Sequence, residues 1–245
     1  MRAPVSPSIM HRRTIAIRNH SGSPSAYYLF AEVPQRNGPT DLDSIDDLQT
    51  WRCVYQASPL VSYPNGSATF VVPDSYVAVC GSGKTPPSIG NRIFSGDWKS
   101  IILASEKSKG SRLRMTMPAG KEATFDSEAA PENDIAGESA FAISVDTSFS
   151  LPNPLAFPFV GYGALNPYNS DEMIPLVVYE AQPAATFVFI PSGKWIVTGG
   201  VVEPHALIPA DSADGHAVVV EFPSLSSTSA EIIHDEKGEL TCRYL

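Results

Sequence analysis

The sequence has 245 residues, of which 43% are hydrophobic and 18% are charged, with a formal net charge of −9 and a pI near 5.0. An acidic surface repels phosphate backbones, so nucleic acid is not an expected partner. No apolar run approaches the ~18 residues of a membrane helix, and residues 1–13 lack the apolar core of a signal peptide. We therefore expect no membrane span and a cytoplasmic location, or secretion if a leader has been removed.

Short apolar or alternating segments recur along the chain and predict β-strands. They are rich in Val, Ile, Phe, Tyr and Thr, which pack well on a pleated surface. Turn-forming triplets such as Pro-Asn-Gly, Ser-Gly-Asp and Ala-Asp-Gly separate them. In chain order the segments are 14–19, 26–33, 51–57, 68–73, 75–80, 99–104, 112–117, 140–146, 158–163, 174–181, 185–191, 194–200, 217–222 and 240–245.

Helical periodicity is confined to one segment. Residues 40–48, TDLDSIDDL, combine a capping threonine with apolar residues at three-residue spacing, which predicts one short helix. The acidic segment 126–139 is predicted to be a surface loop. Many short strands without intervening helices are typical of an all-β fold. We predict an antiparallel, jelly-roll-like β-sandwich with at most one or two short helices, as a single domain at 14–245 after a tail at 1–13.

One segment matches the loose pattern of a phosphate-binding loop. Residues 78–85 read AVCGSGKT and follow a strand-like run. A phosphate loop needs a helix to begin at its Gly-Lys-Thr, so that backbone amides point at the phosphates. Pro86 and Pro87 follow instead; they remove two amide donors and disfavour a helical Thr85. We therefore predict a strand that ends in a glycine-rich turn, and no nucleotide site.

The cysteines indicate neither a disulfide framework nor a zinc site. Cys53, Cys80 and Cys242 are odd in number and show no paired spacing. Buried free thiols are the expected state.

The histidines offer one candidate metal cluster. The fold could bring His205 and His216 together with Asp211 or Asp214. Polar loop residues explain the same pattern. No His-x-His or His-Glu-x-x-His motif is present. We expect neither a metal ion nor another cofactor.

Paired glycines mark a first candidate pocket segment, PFVGYGALNPYN at 158–169. Gly161 and Gly163 flank Tyr162 within a strand-like run, and Tyr168 follows the next turn. Glycine inside a strand often marks a bulge, or the close approach of a ligand or another backbone.

A second segment, KWIVTGGVVEPHALIP at 194–209, has a similar order. Trp195 precedes a glycine pair, and Glu203 and His205 follow it. A histidine titrates near neutrality and can act as an acid or a base, and an indole ring gives a flat apolar wall with one donor.

We predict that these two segments form one apolar pocket with a few polar tips. Tyr162, Trp195 and His205 are expected to line it, with Tyr168 and Glu203 as further candidates. His205 and Tyr162 would be the catalytic groups, while Trp195, Tyr168 and Glu203 would bind substrate. Bulged strands with buried aromatic residues are the alternative interpretation of the same pattern.

The order of four segments resembles a group of fungal proteins found beside secondary-metabolite genes. The segments are TIAIRNHSGSPSAYYLFAEVP (14–34), SYVAVCGSG (75–83), PFVGYGALNP (158–167) and AVVVEFP (217–223). Members of this group resemble the hetero-Diels-Alderases of tropolone-sesquiterpenoid pathways. The resemblance implies a cofactor-free cyclase that dehydrates a hydroxymethyl tropolone-type precursor to a quinone methide and adds it to a terpene alkene. It carries no catalytic residue over to this chain.

Two other classes remain open. A β-sandwich lectin would bind sugar with exposed aromatic residues and loop carboxylates or amides, for which the candidates are Asp74, Asn91, Asp97 with Trp98, and Asn166 with Tyr168. A structural or interaction protein would have no small-molecule site. For the enzyme the expected partner is an apolar small molecule, and a homodimer is left open by the sequence.

Overall fold

The computed structural model describes residues 12–33, 50–83, 87–126, 132–135, 139–153, 156–209, 216–222 and 227–245. These residues form strands and no helix. The predicted helix at 40–48, most of the predicted tail, and Lys84 to Pro86 of the phosphate-loop pattern lie outside the described residues. The helix prediction therefore stays a prediction.

Nineteen strands are described, and most of them coincide with the apolar segments predicted from sequence. They are β1 (Arg13–Asn19), β2 (Tyr27–Ala31), β3 (Thr50–Cys53), β4 (Gln56–Ala57), β5 (Ser67–Val72), β6 (Val77–Gly83), β7 (Asp97–Ser100), β8 (Gly110–Thr116), β9 (Thr124–Phe125), β10 (Glu132–Ile135), β11 (Phe141–Val145), β12 (Phe157–Asn166), β13 (Asn169–Glu180), β14 (Thr186–Phe189), β15 (Trp195–Gly199), β16 (Leu207–Pro209), β17 (Val218–Val220), β18 (Ser229–His234) and β19 (Leu240–Tyr244).

The strands pair into four sheets. Their orders are β19-β18-β1-β5, β10-β8-β11-β14 with β9 beside β8, β16-β3-β13-β12-β6-β7, and β17-β15-β2-β4. Most neighbours are antiparallel, but β1 pairs with β18 and β8 with β11 in parallel. The predicted all-β, sandwich-like fold is confirmed. Among the described residues, no helix has the length and apolar character that crossing a bilayer requires.

Four described strands lie outside the segments predicted from sequence: β9, β10, β16 and β18. Segment 126–139 was expected to be a surface loop, but it contains β10, which pairs with β8. Ile135 anchors it by packing in a small cluster with Ala104, Ala140 and Ala142. Strand β18 was not predicted, although Ala230 and Ile232 are buried at alternate positions.

Successive side chains of β2 point to opposite faces of the strand and pack in two different apolar clusters. Every residue of β2 is buried. Tyr27, Leu29 and Ala31 belong to the main core, while Tyr28 and Phe30 pack in a second cluster on the opposite face of the strand. A strand that is covered on both faces has a continuous apolar sequence, and β2 has one.

The cysteines are free, as predicted. Cys53 and Cys80 are buried, while Cys242 is only half-buried. Burial raises the pKa of the Cys53 and Cys80 thiols, so these two side chains act as small apolar core residues.

The central hairpin, β12 and β13, depends on the glycines of the first candidate segment. Its register shifts between Tyr162 and Gly163, which confirms the predicted bulge. A Cβ at Gly161 would lie 2.0 Å from the carbonyl oxygen of Val177, and one at Gly163 would lie 2.5 Å from Met173 Sδ. Because these two glycines have no Cβ, strand β13 can approach β12 closely, and no ligand is needed to explain them.

We predict that Gly161→Ala destabilises the fold by about 1–3 kcal/mol or more, because the new methyl group overpacks a backbone that cannot move away. Gly199→Ala is the matched control, because its Cβ would come no nearer than 3.9 Å to Ala26 O. We expect the control to change the free energy of unfolding by less than about 0.5 kcal/mol. Urea denaturation of both variants measures the difference, and equal stabilities would contradict the role given to Gly161.

Candidate functional site

Two of the predicted pocket residues lie in the core. Tyr162 and Trp195 are each 1% exposed and belong to the main apolar cluster. The Tyr162 hydroxyl donates to the carbonyl oxygen of Glu32 at 3.2 Å, and its ring packs edge-on against Tyr76. Trp195 packs on Tyr55, with ring centroids 5.5 Å apart. Both residues therefore have the geometry of core side chains.

His205 has a different and more constrained environment. It lies in the turn between β15 and β16, is 2% exposed, and has φ of +67°. This left-handed conformation is uncommon for residues other than glycine. Its backbone makes two hydrogen bonds: the amide donates to Val54 O at 2.8 Å, and the carbonyl accepts from Ile93 N at 3.2 Å. These bonds hold the imidazole in place despite the backbone strain.

The His205 ring makes one polar contact and one aromatic contact. Nε2 lies 2.9 Å from Glu172 Oε1, and the ring centroid is 4.8 Å from that of Phe94. Because an ionised carboxylate can only accept, Nε2 carries the donated hydrogen. Nδ1 is buried and has no hydrogen-bond partner among the described residues.

Glu172 is held at both carboxylate oxygens. While Oε1 accepts from His205, Oε2 accepts from Asn166 Nδ2 at 2.7 Å. The hydrogen bond from Asn166 is the main cause that lowers the pKa of Glu172; His205 and Arg92 add to it, and partial burial opposes it. Glu172 is therefore ionised at neutral pH. Its side chain remains 37% exposed, so a ligand can reach it.

Asn166 also shapes the turn that carries Tyr168. Its Oδ1 accepts from Tyr168 N at 2.9 Å, which is a short side-chain turn of the type that Asn favours. The Tyr168 ring is 71% exposed, and its hydroxyl lies 3.4 Å from Thr69 O. One asparagine thus positions both a carboxylate and an exposed aromatic ring.

A cavity of about 320 Å³ lies against this turn, and we call it the Tyr168 cavity. Its lining combines aromatic and aliphatic walls with a few polar groups, as ligand sites do. The residues used below are Tyr55, Phe70, Asn166, Tyr168, Ile174 and Pro204. Pro204, from the β15–β16 turn, lines the cavity, and its chain neighbours are Glu203 and His205. Glu172 is connected to the lining through the hydrogen bond from Asn166. Tyr55 cannot readily serve as an acid, because burial raises the pKa of its hydroxyl, which donates to Leu165 O.

Three of the five predicted site residues therefore lie in one region: His205, Tyr168 and Glu203. Glu203 is exposed and forms an ion pair with Arg92 at 3.5 Å, on the outer side of the site. Sequence reasoning missed Glu172, whose carboxylate is bonded to both Asn166 and His205. The acidic stretch directly after Tyr168 is the signal that could have indicated it.

The lectin candidate at Asp97 and the metal candidate at His205 and His216 are arranged less favourably. Both Asp97 carboxylate oxygens accept hydrogen bonds from backbone amides, from Trp98 in β7 at 2.8 Å and from Phe125 in β9 at 3.0 Å, so the carboxylate is already occupied. His216 lines another cavity, while Asp211 and Asp214 lie outside the described residues. Within the described part of the chain, no group of three or more His, Cys, Asp or Glu side chains could hold a metal ion.

No family model, curated protein or solved structure matches this chain. The chemistry of the site is inferred from its own side chains. Glu172, Asn166 and His205 supply the polar groups, and the Tyr168 cavity supplies the apolar walls.

We predict that His205→Val lowers the free energy of unfolding by at least about 1 kcal/mol more than His205→Asn. Asparagine tolerates a φ of +67°, whereas a β-branched residue does not. The same pair of substitutions at exposed Glu203 should differ by less than about 0.5 kcal/mol. Chemical denaturation measures all four variants, and an equal loss for both His205 variants would show that backbone strain is not retained there.

Proposed function

We propose that this chain is a cofactor-independent enzyme that binds an apolar small molecule at the Tyr168 cavity and uses Glu172 as its acid–base group. The supporting observation is the Glu172 carboxylate, which is fixed at both oxygens yet 37% exposed. A fixed group loses little freedom when a substrate binds, which favours catalysis. His205, which is buried, acts through Glu172 and is a positioning residue.

The proposed reaction is the one that the sequence resemblance implies: dehydration followed by a hetero-Diels-Alder cycloaddition in fungal natural-product biosynthesis. In the first step, the Glu172 carboxylate accepts the proton of a ring hydroxyl. The electron pair of that O–H bond forms a ring carbonyl. The π bond of the ring C=C between the two substituted carbons breaks and its electron pair forms the exocyclic C=C bond, and the C–O bond of the neighbouring hydroxymethyl group breaks. The leaving hydroxide takes the proton back from Glu172 and departs as water.

The second step needs no proton transfer. The quinone methide and an alkene of the terpene form two new bonds together, so orientation in an apolar site is what the protein supplies. Phe70 and Ile174 provide apolar wall, and exposed Tyr168 offers a flat face for the aromatic reactant.

A second candidate function is carbohydrate binding without catalysis. It is favoured by the exposed ring of Tyr168 beside the Asn166 amide and the Glu172 carboxylate. Sugars stack on such rings and donate hydroxyl hydrogens to carboxylates. A glycan array read in parallel with turnover assays separates the two functions, because only the enzyme consumes its ligand.

We predict that Glu172→Gln reduces kcat/KM about 10²–10⁴-fold, the effect of removing one acid–base group. The assay supplies a hydroxymethyl hydroxytropolone with a macrocyclic sesquiterpene and follows the adduct by mass spectrometry. Asp171→Asn is the control, because it removes a neighbouring exposed carboxylate that is not bonded to Asn166 or His205. If Glu172→Gln turns over like wild type and its melting temperature is unchanged, Glu172 is not the acid–base group.

We also predict a shift in the pH–rate profile of Asn166→Ala. The hydrogen bond from Asn166 lowers the pKa of Glu172, so activity that needs the carboxylate is present above that pKa and is lost as pH falls through it. Removing the bond raises the pKa, and the acid limb moves to higher pH. Asn169→Ala, in the same turn, should not change the pH at which activity is lost on the acid side of the profile. If Asn166→Ala loses activity at the same acidic pH as wild type, a group other than Glu172 determines the profile.

A further inference from the structure

A second cavity, of about 600 Å³, lies away from Glu172, and we call it the histidine cavity. It lies where β15 ends, near β2, β18 and β19. The residues that matter here are Leu60, Gly199, Gly200, Val201, His216, His234 and Leu240. A Cβ added at Gly199 would have its nearest neighbour, Ala26 O, at 3.9 Å, so this side of the cavity is open, whereas a Cβ at Gly200 would lie 3.1 Å from Tyr28 Cε1.

One of its two histidines is held rigidly. His234 Nδ1 lies 2.9 Å from the hydroxyl of Tyr27, and the two rings meet edge-on. Its backbone is part of β18, and its carbonyl accepts from His20 N at 2.8 Å. When His234 is protonated, Nδ1–H donates to the Tyr27 oxygen and Nε2–H remains as a second, charged donor. The imidazole is therefore preorganised for an anion.

The surroundings of His234 decide which anion is suitable. The titratable groups near His234 are Tyr27, His20, His216 and Asp235, with Lys237 and Glu239 in the following turn. On the same strands, Glu231 forms ion pairs with Arg18 and Arg243. Burial and then His216 lower the pKa of His234, while Asp235 opposes them. Asp235 accepts backbone amides from Lys237 and Glu239 and stays ionised. A nearby fixed negative charge disfavours a dianion more than a monoanion.

The remainder of the cavity is suited to an aliphatic chain. Val201 is 89% exposed and Leu60 is 64% exposed, and Leu240 lies half-buried beside them. Exposed aliphatic side chains grouped at a cavity indicate a surface that an apolar ligand can cover. The charged and apolar parts thus adjoin within one cavity.

We infer that the histidine cavity binds an amphipathic organic acid, with its carboxylate at His234 and His216 and its aliphatic chain on Leu60, Val201 and Leu240. A bound carboxylate favours the charged imidazole of His234, so it raises the pKa of His234 and binding takes up a proton. Affinity is therefore highest at low pH and falls as pH rises through the pKa of the complex. A rise of one pKa unit on binding corresponds to about a tenfold change in affinity.

The test is calorimetric titration of the full chain with decanoate, below its micellar concentration, at pH 5.5 and pH 8.0. Decanol, which has the same chain and no charge, is the matched ligand. We expect decanoate affinity to fall about tenfold or more between the two pH values, and decanol affinity to stay constant. No decanoate binding, or binding that does not depend on pH, would overturn the inference.

Variants locate the site. His216→Gln alters an exposed side chain and should keep the fold, so it tests the inference even if His234→Gln unfolds. Each variant should lose most of the pH dependence, whereas His20→Gln, which is not on the cavity, should keep it. Glu172→Gln should bind decanoate like wild type, which separates this site from the proposed active site. Loss of decanoate binding in Glu172→Gln, or unchanged pH dependence in His216→Gln, would contradict the assignment.

Discussion

Strands β12 and β13 can pair as closely as they do only because position 161 has no side chain. A Cβ there would lie 2.0 Å from a carbonyl oxygen of the facing strand. The hairpin occupies the centre of the six-stranded sheet, and its second register shift falls between Leu165 and Asn166. That shift sets the turn in which Asn166 contacts Glu172 and carries Tyr168. The candidate site therefore lies at the turn of a hairpin whose strands pair closely through Gly161.

The same region shows how a carboxylate can be fixed without being buried. Asn166 and His205 come from different parts of the chain and bond to different oxygens of Glu172. Each bond stabilises the ionised form, and both outweigh the partial burial that opposes it. The left-handed backbone of His205 belongs to this arrangement, because its amide and carbonyl are held by neighbouring segments. Strain of this kind persists only where the surroundings over-determine the conformation.

Local pattern was sufficient to predict most of the strands and the bulge. The apolar run of β2 and the glycines around Tyr162 act through backbone pairing and side-chain alternation, which depend on neighbouring residues in sequence. The pocket was only partly predictable, because an aromatic side chain beside a glycine looks the same whether it faces a cavity or the core. Tyr162 and Trp195 face the core. The contact between Glu172 and His205 joins residues 33 positions apart, and no local pattern encodes it. Similarly, the glycine pair after Trp195 does border a cavity, but one that is completed by His234 from β18.

The parallel pairing of β1 with β18 has a consequence for how the chain acquires its structure during synthesis. Thr14 lies beside Ser229, a separation of 215 residues. Until β18 is made, β1 has only β5 as a partner and presents an unpaired edge, which is the kind of surface that pairs with other chains. Long-range contacts of this type form slowly. The histidine cavity needs both Tyr27 and His234, so it is complete only after this late pairing, and the unpaired edge of β1 favours aggregation in the interval.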